Sequence, residues 1–275
     1  MITLTKRWTE SKARLTPIRT LAGGNYNWLF LPGGPGLGSE SLRELTELLH
    51  LPGTVWHLDL PGDGSNVTED DTKAFSQWSQ ALIEATAALE NVILVGHSMG
   101  GMFALSTPEL ETQLKGLVIM ASAPNASFRV GFAEYCKDHP LPNAMKLQAE
   151  HDANPSNEIF KKLTMAYAPY MSTPSGQQAM LALMETLPFN NQPYLWAANH
   201  FHQTYQAKWI PKAMPVLIFA GDEDYLTPLG LFSDLPEFQR ENILIRNIPN
   251  ASHFPWLENP GRVREVFEEY CGGLS

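Results

Sequence analysis

The pentapeptide Gly96-His97-Ser98-Met99-Gly100 is the stretch best suited to covalent chemistry. It follows the apolar run Asn91-Val92-Ile93-Leu94-Val95, which reads as a buried strand. A serine in a Gly-x-Ser-x-Gly turn between strand and helix is pushed out of the sheet edge, with its oxygen presented for attack. The flanking glycines suit that turn because larger side chains would collide where strand and helix approach. About one chain in ten of this length would carry such a pentapeptide by accident. Its weight comes from position, with a β-branched run before it and a helix start, Gly101-Met102-Phe103-Ala104-Leu105, after it.

A serine hydroxyl is a poor nucleophile until a base takes its proton, and the base needs an acid to orient it. His253, in Asn250-Ala251-Ser252-His253-Phe254-Pro255, is the candidate base. Asp224, in Gly221-Asp222-Glu223-Asp224, is the candidate acid, with Asp222 as its rival on the same loop. The chain order is serine, acid, histidine, and each residue follows a predicted strand, where sites form on open α/β sheets. Acyl chemistry also needs N–H donors for an oxyanion. The Met99 N–H should supply one, and the Gly34 N–H, in Pro32-Gly33-Gly34-Pro35-Gly36, the other. Losing one such donor typically costs about 2.7–4 kcal/mol of transition-state stabilisation.

The remaining histidines carry less chemistry. His97 reads as packing or support beside the nucleophile, and His57 as a strand residue. His200 and His202 are two apart, so they face different sides of a helix and make weak metal ligands. No metal or cofactor is expected.

The elements that must position these residues alternate between strand and helix. That rhythm predicts an α/β fold with a mostly parallel sheet flanked by helices. Strands are expected at 27–31, 55–60, 92–95, 117–120, 215–220 and 243–246. Helices are expected at 42–49, 74–89 and 263–270, and the first twenty residues could hold a strand or a hairpin. From 124 to 211 the composition shifts to Met, Tyr, Asn, Gln and Pro without a convincing strand. The expected division is a core in two parts, 1–123 and 212–275, interrupted by a helical cap at 124–211. Aromatic and Met residues of the cap, such as Phe128, Phe132, Tyr135, Met165, Tyr167, Tyr170, Met180, Met184, Phe189 and Trp196, could line an acyl pocket or pack the cap itself.

With 275 residues, 44% hydrophobic and 17% charged, the chain can build a packed core. Its net charge of -10 argues against a general nucleic-acid or anionic-membrane surface. Cys136 and Cys271 form neither a disulfide framework nor a zinc spacing, which suits reduced thiols in a cytoplasmic protein. Met1 to Trp8 lacks an apolar signal region, and no stretch approaches a membrane span.

These motifs together resemble the α/β-hydrolases over nearly the whole chain. Gly96 to Gly101 resembles the nucleophile elbow, Gly221 to Asp224 the acid loop, and His253-Phe254-Pro255 the histidine loop. Asp59-Leu60-Pro61-Gly62-Asp63-Gly64-Ser65 resembles the family's Asp-x-x-Gly-x-Gly-x-Ser turn, displaced by one residue at the serine. The resemblance implies a metal-free serine hydrolase acting through Ser98, His253 and Asp224. Gly33-Gly34-Pro35-Gly36 is similar to part of the His-Gly-Gly-Pro-Gly signature of proline iminopeptidases, but Pro32 stands in place of the histidine. The elbow departs as well, with His97 and Met99 where those peptidases carry Gly and Trp. The Asp59 turn looks more like small carboxylesterases.

A small carboxylic ester is therefore the expected substrate, with an N-terminal prolyl peptide as the alternative. A peptidase would need cap carboxylates for the ammonium group, drawn from Glu134, Asp138, Glu150, Asp152, Glu158 and Glu185. Acyl transfer to an alcohol or thiol, and a non-catalytic ligand-binding relative, are the further alternatives.

Overall fold

The computed structural model describes residues 5–67 and 74–274. Residues 1–4, part of the stretch read for a signal region, lie outside the described residues.

Among the described residues one sheet of eight strands organises the molecule: β1 (Arg7–Trp8), β2 (Arg14–Leu21), β3 (Asn27–Leu31), β4 (Gly53–Asp59), β5 (Val92–His97), β6 (Leu114–Met120), β7 (Val216–Gly221) and β8 (Ile243–Ile248). Their order is β1-β2-β4-β3-β5-β6-β7-β8. β1, β2 and β4 pair antiparallel, and every other pairing is parallel. Residues 7–21 form the hairpin β1–β2.

The parallel strands read as unbroken apolar runs because both faces are covered. Successive side chains point to opposite faces. Leu29, Leu94, Ile119 and Ile218 thus pack on one face with α2 (Trp78–Ala87) and α3 (Met99–Ser106). Phe30, Ile93, Val95, Val118 and Phe219 pack on the other with α1 (Arg43–Leu48), and with Val263, Val266 and Phe267 of the C-terminal helix Pro260–Gly272. Each such side chain contributes about 1.5–3 kcal/mol when fully buried.

Between β6 and β7 the chain forms α4 (Phe128–Asp138), α5 (Pro142–Ala153), α6 (Asn157–Ala166), α7 (Ala168–Met171), α8 (Gln177–Glu185), α9 (Asn191–Trp196) and α10 (His202–Thr204). This helical segment, the expected cap, leaves and rejoins the sheet at one stem. There Asn125 bridges Gln206, and the Ala207 N–H donates to the Pro124 carbonyl at 2.7 Å. Met180, Leu183 and Met184 of α8 join the core cluster under the cap. After β7 come α11 (Gly230–Ser233), α12 (Pro255–Glu258) and α13, the C-terminal helix already introduced.

The strand order reverses between β3 and β5, since the chain goes from β3 to β4 on one side and then to β5 on the other. Loops leaving β3 and β5 diverge there and open a crevice at the carboxyl edge. Leu31 is in register with Gly96, so the Pro32–Gly34 loop runs beside His97 to Met99.

Candidate active site

Ser98 sits at the turn from β5 into α3 with φ 50° and ψ −119°. A non-glycine residue in such a conformation costs about 1–3 kcal/mol and persists only where its surroundings enforce it. They do so here. The Ser98 N–H donates to the Met120 carbonyl at 2.8 Å, and the Ser98 carbonyl accepts from the Ser122 hydroxyl at 2.7 Å. A Cβ on Gly96 would lie 2.6 Å from the Gly101 nitrogen, and one on Gly100 2.6 Å from the Leu31 carbonyl oxygen. Both flanking glycines are thus required by close backbone approach.

The structure brings the three candidate side chains together. His253 Nε2 is 3.1 Å from Ser98 Oγ, and His253 Nδ1 is 2.9 Å from Asp224 Oδ2. Asp224 Oδ1 accepts from the N–H groups of Leu226 and Thr227 at 3.0 and 2.9 Å, and Oδ2 accepts from the Thr227 hydroxyl at 3.0 Å. Burial raises the Asp224 carboxyl, but the His253 imidazole and the Thr227 donors outweigh it and hold the pKa below the usual carboxylate range. Asp222 does not reach the imidazole. Its Oδ1 accepts from the Ala251 N–H at 3.3 Å and ties the two loops together. Gly221 lets those loops meet, since a Cβ there would stand 2.1 Å from the Ala251 carbonyl oxygen.

His97 lies behind His253. Its Nε2–H donates to the His253 carbonyl at 3.0 Å, and its ring packs 4.9 Å from those of Phe254 and Trp256. Burial, with His253 beside it, pushes its pKa down to about 3. His97 is therefore neutral at physiological pH and carries its proton on Nε2.

Met99, Gly33 and Gly34 all line the cavity beside Ser98. The Met99 N–H belongs to the first turn of α3, where helix N–H groups have no partner within the helix. Gly33 is the residue pressed against Ser98, because a Cβ there would lie 2.6 Å from Ser98 Cβ. Gly34 is more exposed and has φ +111°. The loop is anchored at Gly36, whose N–H donates to Asp63 Oδ1 at 2.6 Å and whose carbonyl accepts from the Asn190 N–H of the cap at 2.8 Å. Burial and the neighbouring Asp59 push the Asp63 carboxyl up to about 7.

The cavity over Ser98 is about 370 Å³. Phe128, Phe132 and Tyr167 line it, as the cap composition suggested. The other seven cap side chains singled out in the sequence do not, and Phe160, Leu163, Met171 and Tyr194 of the cap do. No Asp or Glu is among the described lining residues, and Arg129 is the one Lys or Arg there. The six acidic residues considered as ammonium ligands are all exposed. His202 lines the cavity against Phe128, whereas His200 lies by Trp196. Among the described residues no cluster of three His, Cys, Asp or Glu could hold a metal. Both cysteines are free. No described helix is long and apolar enough to cross a membrane.

The chain belongs to the alpha/beta hydrolase family, whose model matches residues 28–266, and it is a hydrolase. It is 33% identical over 268 residues to a pimeloyl-[acyl-carrier protein] methyl ester esterase of Xylella fastidiosa strain M12, covering 90% of this chain and 95% of that one. Among solved structures it is similar to a proline iminopeptidase-related protein of Thermus thermophilus, with 21% identity and a TM-score of 0.70 over 98% and 97% of the two chains. It is also similar to a thermophilic esterase of Thermogutta terrifontis, with 18% identity and a TM-score of 0.67 over 98% of each chain.

Sequence reasoning passed over Thr227, Ser122, Asp63 and Asn190. Ser122 and Asp63 each reach a loop brought near by the fold, Asn190 bonds Gly36 and Gly62, and Thr227 turns back onto Asp224 of its own loop, and no local spacing marks them. Only Asp63 carried a signal, as part of the turn after β4.

Proposed function

We propose that this protein is a serine esterase acting on a small carboxylic ester with an apolar acyl group. Ser98 Oγ attacks the ester carbonyl carbon while His253 Nε2 takes its proton. Asp224 orients the imidazole and stabilises its charged form. The N–H groups of Met99 and Gly34 hold the tetrahedral oxyanion. Its collapse expels the alcohol, which leaves with the proton from His253. Water, deprotonated by His253, then attacks the acyl-enzyme and releases the acid and free Ser98.

The observation that carries this reading is the Ser98–His253–Asp224 contact chain opening into an apolar cavity with no carboxylate among its described lining residues. An N-terminal prolyl substrate would bring an ammonium group into that space beside Arg129 with no acid to pair it, an unfavourable burial. Similarity to methyl ester esterases of a carrier-bound acyl group supports an aliphatic acyl chain and a small alcohol.

The test compares p-nitrophenyl butyrate with a prolyl arylamide, using Ser98→Ala as control. The expected result is ester cleavage that disappears in Ser98→Ala, with prolyl cleavage at least 100-fold slower. Comparable prolyl cleavage, or ester turnover surviving in Ser98→Ala, would overturn the proposal.

A further inference from the structure

Glu258 touches neither the cavity nor any reacting group, yet both its carboxylate oxygens are committed. Oε2 accepts the Ser252 N–H at 2.6 Å, one residue before His253. Oε1 accepts the Thr173 N–H at 2.6 Å, from the cap segment between α7 and α8, 85 residues away in the chain. The carboxylate rests on the bare Cα of Gly176, where a Cβ would lie 2.2 Å from Oε1. Besides Asp222 at Ala251, two side chains thus grip the histidine loop around His253 itself. Glu258 holds the amide before His253, and His97 holds the carbonyl of His253 itself. Of these two grips only Glu258 also holds the cap.

From this arrangement we infer that Glu258 is a positioning residue that couples the seating of the cap to the alignment of His253 with Ser98. A charged acceptor makes the shorter and stronger kind of hydrogen bond to an N–H. One rigid carboxylate shared by two backbones transmits a shift of either to the other. If the α7–α8 segment lifts, Oε1 loses its donor, the carboxylate reorients, and the Ser252 amide is released. His253 then drifts from Ser98 Oγ, and a misplacement of about 1 Å can cost about 10²-fold in rate. The cap over the acyl cavity and the base beneath it are therefore assembled together. This inference rests on the esterase reading of Ser98 and His253.

Two variants test it from opposite sides. Glu258→Gln keeps the shape but loses the charge and one acceptor. Gly176→Ala leaves the histidine loop untouched and pushes the carboxylate from the cap side, at a residue whose φ of −86° suits alanine. Three readouts are taken well below Tm: the rate at which a fluorophosphonate labels Ser98, kcat and KM on p-nitrophenyl butyrate, and the pH profile of kcat/KM. For both variants, labelling rate and kcat should fall together by about tenfold or more, with KM within about twofold. The pH profile of kcat/KM should change as well. Wild-type labelling and kcat in either variant, with only a lowered Tm, would reduce Glu258 to a structural tie and overturn the coupling. Absence of Ser98-dependent labelling and turnover in the wild type would instead sink the esterase reading, and this inference with it. Failure of Glu258→Gln to fold leaves Gly176→Ala to decide.

Discussion

At the scale of single residues, the geometry separates two aspartates that lie two apart on one loop. Asp224 meets the imidazole and accepts three further hydrogen bonds, whereas Asp222 only ties one backbone to another. Replacing the orienting acid by an amide leaves the shape intact but favours the wrong imidazole tautomer, at a cost of about 10⁴ in kcat. Asp224→Asn should therefore lose about 10⁴ in kcat on p-nitrophenyl butyrate. Asp222→Asn, which keeps an acceptor oxygen, should stay within about threefold. Equal losses in both variants would show that the loop, rather than the Asp224 contact, limits turnover. The Ser98, Asp224 and His253 candidates were legible because each residue type sits in a short motif right after a strand. Thr227 was not, because a hydroxyl three residues past an aspartate has no meaning until the loop folds it onto Oδ2 and His253 Nδ1.

Elements explain why that loop geometry is available. The reversal of strand order between β3 and β5 sets the Gly33–Gly34 segment against the elbow, and Asp63 after β4 holds that segment through the Gly36 N–H. With its carboxyl raised to about 7, Asp63 is protonated in about half of the molecules at neutral pH, and an amide reproduces that neutral form. Asp63→Asn should keep near wild-type activity, with stability at neutral pH at or above wild type. Asp63→Ala orphans the Gly36 N–H and should cost about 1–3 kcal/mol in a urea titration, with a parallel loss of kcat. If alanine and asparagine behave alike, the Gly36 bond does not hold the loop.

The sheet elements were legible because buried parallel strands are continuous apolar runs bounded by Gly and Pro. The run of helices between β6 and β7 showed in its change of composition. Which of its faces meets the cavity did not, because aromatic and Met residues pack helices against each other as readily as they line a pocket. Met180 and Met184, for example, lie in the core cluster under the cap, while Phe160, unremarked in the sequence, lines the cavity.

For the molecule as a whole, burial of titratable groups sets how stability follows pH. Burial pushes His97 down to about 3, and His57 and His202 down to about 4. Between those values and the ordinary imidazole pKa near 6.5, the unfolded chain takes up protons that the folded protein refuses. These three histidines therefore stabilise the fold above about pH 6.5 and lose that contribution as pH falls towards 4. Asp63 acts in the opposite sense. With its carboxyl raised to about 7, the folded protein holds a proton that the unfolded chain releases above about 4, so acidification through that window favours folding.

Three groups outweigh one, at about 1.4 kcal/mol per proton per pH unit, so stability should fall from pH 7 to pH 5. The urea midpoint at the two pH values measures it, and two variants divide the slope. His57→Gln, which can still pair with Thr46 as His57 Nε2 does at 3.0 Å, removes one refused proton and should shrink the pH difference. Asp63→Asn removes the opposing group and should enlarge it. Movement of both variants in the same direction would mean that acid sensitivity arises from other groups than these buried ones.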